Sequence, residues 1–168
     1  MADESSGRWL RVTHNDLIHS TRTAIAACVS LEIARLLKLP EAYWAAITTL
    51  IVMQSTLGAA LTISGQRFAG TALGSVMGAL LVTYFPSSVL PFTAGVFILG
   101  FICAALRLDR AAYRFAGVTL AIVMLVDRVR PAWAIAAHRF IEVSVGIAIG
   151  LILTAVWPEP EPANVYGR

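Results

Sequence analysis

The sequence is short of charge. Asp, Glu, Lys and Arg make up 14% of its 168 residues, against roughly a quarter in an ordinary soluble domain. The stretches Ala42 to Gln66 and Phe68 to Leu106 contain none of the four. Lysine is nearly missing as well, because every one of the 13 basic residues except Lys38 is arginine. The two cysteines, Cys28 and Cys103, stand alone in apolar runs. With no second Cys, His or carboxylate at ligand spacing, they are expected to be packing residues, and a disulfide scaffold is excluded. No phosphate loop, catalytic triad or complete metal motif occurs, so no enzyme, metal or cofactor is expected. A net charge of +3 is too small for polyanion binding, which sets nucleic acid aside as a partner. The first apolar run carries charges and lacks a small-residue cleavage site, so no removable signal peptide is expected.

Apolar residues fill the space, at 58% of the chain and a mean hydropathy of +0.74. Since a helix needs about 20 apolar residues to cross a bilayer, the expected class is an all-α membrane protein. Charge and proline interrupt the apolar runs five times, predicting six spans near 16–38, 42–63, 65–85, 88–107, 111–127 and 131–157. The implied layout is a cytoplasmic segment at 1–14, a six-helix domain at 15–157 and a cytoplasmic tail at 158–168. The first span carries Asp16, His19, Arg22, Glu32 and Arg35, and the fifth has only a short uncharged stretch. These two are the weakest spans on hydropathy, unless neighbours or water cover their polar faces.

Alternate ends receive unequal positive charge. Arg8, Arg11, Arg22, Arg67, Arg107, Arg110, Arg114 and Arg168 fall on the side of the N-terminus, and Arg35, Lys38, Arg128 and Arg130 on the other. This bias predicts both termini in the cytoplasm of a multi-pass inner-membrane protein. Trp9, Tyr43, Trp44, Tyr84, Trp133 and Trp157 lie near span ends, where aromatic anchors gather.

An internal repeat is the main organisational signal. Arg67-Phe68 is followed by Gly74 and Gly78, and 72 positions later Arg139-Phe140 is followed by Gly146 and Gly150. A second pairing at an offset of 70 matches Ala42, Tyr43, Ala46, Thr49 and Leu50 with Ala112, Tyr113, Ala116, Thr119 and Leu120. Residues 15–85 and 86–157 are therefore expected to be two three-helix repeats. Three spans is an odd number, so the second copy would be inverted, an architecture whose substrate sites lie at the repeat interface.

Each copy also carries a polar-and-small stripe. On an ideal helix Arg67, Gly70, Thr71, Gly74 and Gly78 share an arc of about 100°, and His138, Arg139, Glu142, Gly146 and Gly150 one of about 120°. Close helix packing accounts for the glycines. For Arg67 a snorkelling anchor competes with a substrate contact. Arg139 lies about 12 Å along its helix from Pro131, where an unpaired arginine costs on the order of 2.5 to 3.5 kcal/mol. It needs protein, water or an anion, and Glu142 one turn away offers a structural ion pair. His138 and Glu142 have the spacing for a proton relay but lack the third ligand of a metal site. Gln54 interrupts the second span, either as an unwound turn lining a cavity or as a helix end.

Several motifs together resemble one family: Pro40-Glu41-Ala42-Tyr43-Trp44, the Gln54-Ser55-Thr56-Leu57-Gly58 turn, Gln66-Arg67-Phe68-Ala69-Gly70-Thr71, Ala112-Tyr113-Arg114-Phe115-Ala116-Gly117 and Arg139-Phe140-Ile141-Glu142-Val143. In this order and spacing they resemble the membrane domain of the fusaric-acid-resistance superfamily over residues 14–157. That superfamily includes bacterial aromatic carboxylic acid exporters and is similar to plant aluminium-activated malate channels. The resemblance implies a six-helix domain that moves organic anions, with Arg67 and Arg139 lining the path. It also implies a cytoplasmic region that this sequence lacks, and assembly of single-copy chains with one another. The expected function is export of organic anions such as aromatic carboxylates by a homodimer or other homo-oligomer in a lipid bilayer. A passive anion channel and a non-transporting subunit of a partner protein are the alternatives. The expected path residues are Arg67, Arg139, Glu142, His138, Gln54 and Thr71.

Overall fold

A computed structural model describes residues 14–54, 56–85, 88–126 and 130–158. Among them are six α-helices and no strand: α1 (His14–Leu36), α2 (Tyr43–Val52), α3 (Leu57–Tyr84), α4 (Val89–Ala105), α5 (Arg110–Ala121) and α6 (Ala132–Val156). The last turn of α5 continues as a π-helical turn over Ile122–Val126.

Two expected spans are redrawn. Residues 42–63 are not one helix, and no break falls at Gly65-Gln66-Arg67. The chain instead leaves the helix at Met53, whose backbone is extended, and re-enters at Thr56. Thr56 is extended too, and its hydroxyl accepts the Ala59 N–H at 3.3 Å, capping α3 as Ser, Thr and Asn commonly do. Gln54 therefore lies just past the end of α2. The charge at Arg67 does not break α3 because its side chain turns inward and is 5% exposed. Gln66 meanwhile donates to Asp109 at the start of α5. The fifth span is also shorter than expected, with regular α-helix ending at Ala121.

Lengths follow. At 1.5 Å per residue the ten residues of α2 rise about 15 Å, half of a hydrocarbon core about 30 Å thick. Of the described helices, α6 alone is long and apolar enough to cross a membrane by length and composition, while α2 and α4 are shorter apolar helices.

The ends of α1 and α4 are built alike. Lys38 and Arg107 are in the left-handed region, at φ 53° and 54°. Around Lys38 the Leu39 N–H donates to Ala34 O and the Lys38 N–H to Arg35 O. Around Arg107 the Leu108 N–H donates to Cys103 O and the Arg107 N–H to Ala104 O. Both are Schellman caps with a basic residue where glycine is usual, at the end of the helix where the dipole favours a cation.

α3 and α6 form the centre and pack on each other. α5 lies against α3 and α2 against α6; α1 touches α2 and α6, and α4 touches α5 and α3. Two of the contacts are backbone-tight. A Cβ on Gly74 would collide with Ala116 O and lie 2.9 Å from Thr119 Cβ; one on Gly146 would collide with Ala45 O and lie 2.6 Å from Thr48 Cβ. Gly78 abuts Val123 and Leu120, and Gly150 abuts Val52 and Thr49. The partners Ala116 and Ala45, Thr119 and Thr48, Val123 and Val52, and Leu120 and Thr49 all stand 71 residues apart. Gly70 packs on Ala112 O and Phe115.

Candidate functional site

The N-terminal half of α2 lies against α6, and its first two turns carry the groups that meet the arginines. Arg139, 2% exposed, stacks its guanidinium on the Trp44 ring at 3.8 Å from the centroid. Its NH1 lies 3.5 Å from Glu142 Oε2 and 4.0 Å from Glu41 Oε2. The other Glu142 oxygen accepts the Glu41 N–H at 3.0 Å, so a carboxylate with no exposure sits at the positive end of α2. Glu41 in turn accepts Trp44 Nε1 at 2.9 Å, the Tyr43 hydroxyl at 3.3 Å and Arg130 NH2 at 3.1 Å.

Arg67 reaches α2 one turn further on. Its Nε and NH2 donate to Thr48 Oγ1 at 3.2 and 3.1 Å, and its guanidinium covers the Phe115 ring at 4.9 Å. Trp44 and Thr48 are i and i+4, so the two arginines stack along one face of α2 about 6 Å apart in rise. Beside them Phe68 and Phe140 pack at 4.9 Å between centroids, so the two Arg-Phe pairs meet where α3 crosses α6.

The two arginines differ electrostatically. Arg139 is shared between two carboxylates and an indole, whereas Arg67 contacts a neutral hydroxyl and a ring face. Arg139 Nε is buried and has no hydrogen-bond partner. Such a donor, in a region of low dielectric, is costly unless water or another acceptor reaches it.

The other expected path residues are scattered. Thr71 lies one turn beyond Arg67 on α3 and is 2% exposed. His138 is half-buried, and its Nδ1 has no hydrogen-bond partner. Both Glu142 oxygens are engaged, one by the Glu41 N–H and the other by Arg139. Gln54 is remote in role: its amide donates to Ile51 O at the end of α2. No group of three His, Cys, Asp or Glu able to hold a metal occurs among the described residues.

Sequence reasoning passed over two participants. Glu41, read as part of a loop between spans, joins α2 to α6 through Arg139, Arg130 and Glu142. Arg22, counted among the positive charges on the side of the N-terminus, is fully buried and donates to Trp157 O at 2.6 Å and Gln54 O at 2.7 Å. It ties α1 to the carbonyl ends of α6 and α2, where a cation is favoured. The signal was present: Arg22, Ala26, Ser30 and Ala34 follow at four-residue spacing, and all four are buried.

Known proteins resemble this chain over most of its length. A family model described as fusaric acid resistance protein-like matches residues 26–153. The uncharacterized transporter YdhK of Escherichia coli strain K12 is 30% identical over 165 residues, covering 93% of this chain and 25% of that protein. The inner membrane protein YeeA of the same strain is 30% identical over 150 residues, covering 87% and 42%. The inner membrane protein YccS is 24% identical over 176 residues, covering 98% and 24%. The chain thus spans a quarter to two fifths of the length of these relatives. No solved structure matches it. With most of its helices inside the matched region, the chain belongs to the fusaric acid resistance protein-like family.

Proposed function

We propose that this chain is an integral inner-membrane domain that exports organic anions such as aromatic carboxylates. The observation that carries the reading is the convergence of two buried arginines, Arg67 and Arg139, on one face of α2. Two buried cations at that spacing repel each other in a low dielectric, and a carboxylate between them offsets the repulsion. Guanidinium groups donate paired, coplanar hydrogen bonds to a carboxylate. The rings of Trp44, Phe68, Phe115 and Phe140 supply apolar surface for an aromatic anion. Relatives named transporter or inner membrane protein point the same way.

We read the architecture as two three-helix repeats of opposite orientation, each crossing the membrane three times. In support of the repeat are the twin caps at Lys38 and Arg107 and the glycine contacts, whose partner residues stand 71 apart. Both termini are assigned to the cytoplasm. In support, Arg22 in the third turn of α1 bonds to the last carbonyls of α6, as an even number of crossings requires. Replacing Cys28 and Cys103 and introducing single cysteines at Ser5, Asn164 or Ser87, all outside the described residues, tests this. A membrane-impermeant maleimide applied to intact cells is expected to label the Ser87 variant; labelling at Ser5 or Asn164 contradicts the orientation.

Assembly as a homo-oligomer, most simply a dimer, is part of the same reading. The central helices leave Val76, Leu80 and Trp133 exposed, a surface that lipid or a second copy covers. Native mass spectrometry in mild detergent is expected to give a multiple of 18.0 kDa, and a monomer alone contradicts it.

A specific observation also favours a non-transporting scaffold: Arg139 already has internal carboxylates. Proteoliposomes holding this chain alone decide between the readings. Saturable uptake of labelled benzoate supports transport, with dependence on a proton gradient separating an exporter from a passive channel. Uptake equal to that of protein-free vesicles supports the scaffold.

A further inference from the structure

Several hydroxyls on these helices bond to the carbonyl four residues back. Thr49, Thr62, Thr83, Thr93, Ser144 and Thr154 all do so, at 2.7 to 3.0 Å. Ser64 and Ser75 do not. Their hydroxyls are buried without a hydrogen-bond partner, in residues 4% and 5% exposed. Thr23 and Ser30 share that condition but belong to α1.

Position separates the two α3 serines from chance. Ser64, Arg67, Thr71 and Ser75 fall within an arc of about 80° on an ideal helix. They form one buried polar line about 16 Å long from first to last. Packing does not demand it: the residues 72 positions on from Ser64, Thr71 and Ser75 are Ala136, Val143 and Ile147, buried and apolar at the corresponding sites of α6. Only the arginine is kept in both. Ser75 also underlies a groove of about 330 Å³ between α3 and α6, bordered by Trp133, Phe140, Ala72 and Val76.

Leaving a buried hydroxyl unpaired costs its desolvation. Two such groups, in line with an arginine at each of whose sides a hydroxyl residue stands, imply an occupant that accepts hydrogen bonds. We propose that Ser64 and Ser75 mark the two ends of the anion path past Arg67 and Arg139, donating to the carboxylate or to water that accompanies it. This rests on the transport reading of the arginine pair but adds residues to it.

Ser64→Cys and Ser75→Cys, in a chain also carrying Cys28→Ala and Cys103→Ala and reconstituted in liposomes, test the path with an anionic thiosulfonate. Both cysteines are expected to be modified. Benzoate at about nine times its Kd is expected to slow modification about tenfold, since only unoccupied protein reacts. Ile152→Cys, on the exposed apolar face of α6, is expected to stay unmodified. Inert cysteines at both positions, or reaction rates that benzoate does not change, overturn the proposal. If either cysteine variant loses the wild-type elution volume, Ser64→Ala and Ser75→Ala replace it: a raised benzoate KM supports the path and an unchanged KM in both overturns it. Protected cysteines together with unchanged flux in Arg67→Lys and Arg139→Lys would keep the path and remove the arginine site.

Discussion

Arg67→Lys is expected to lower benzoate flux about ten- to a hundredfold while leaving the melting temperature unchanged. Lysine keeps the charge but loses the planar pair of donors. A hydrogen bond to a charged group is worth about 1.5–3 kcal/mol, and each 1.4 kcal/mol is about tenfold. Stability is spared because the partners of Arg67 are the Thr48 hydroxyl and the Phe115 ring, which are neutral. Arg139 is expected to behave differently. Arg139→Gln leaves Glu142 buried beside Glu41 without its cation, and breaking a buried pair costs about 3–5 kcal/mol. That variant is expected to melt well below the wild type. Arg139→Lys retains the charge and is expected to fold with impaired flux; loss of folding in it would make the residue a structural ion-pair partner. Flux and melting temperature, measured on matched amounts of each variant, separate the two roles.

Gly146→Ala is expected to destabilise the protein by about 1–3 kcal/mol, the range of overpacking in a filled core. In most helices the same change gains up to about 1 kcal/mol from propensity, so the sign is opposite to the local expectation. The reason is a methyl group placed against Ala45 O and 2.6 Å from Thr48 Cβ, backbone and β-branched atoms that have little room to move. Separating α6 from α2 also loosens Glu142 from the Glu41 N–H. Gly117→Ala supplies the control, because a Cβ there meets nothing within 4 Å. Thermal unfolding in detergent is expected to place Gly146→Ala below the wild type and Gly117→Ala at or above it. Equal melting temperatures for the two variants would mean that the α2–α6 contact is loose.

Proline and charge made several helix ends legible. The expected spans at 88–107 and 131–157 lie within two residues of α4 and α6, because Ser88 and Pro131 begin helices there. The α2–α3 border was misplaced because charge at Gln66-Arg67 outweighed a subtler cue, the Thr56 cap. An arginine interrupts a hydropathy pattern whether it faces a loop or the protein interior, and hydropathy alone does not separate the two. Arg67 and Arg139 stood out through their repeated context. Their neighbours did not, since Trp44 and Thr48 approach them only when α2 packs between helices distant in sequence. Glu41 and Glu142 are 101 residues apart, yet one caps the backbone of the other. Nothing local in either segment announces that bond.

The central claim is that Arg67 and Arg139 together hold a carboxylate. Isothermal titration of benzoate into the purified chain, beside the Arg67→Lys/Arg139→Lys double variant at equal oligomer size, tests it most directly. Saturable heat in the wild type that vanishes in the double variant is the predicted result; the same affinity in both proteins would contradict it.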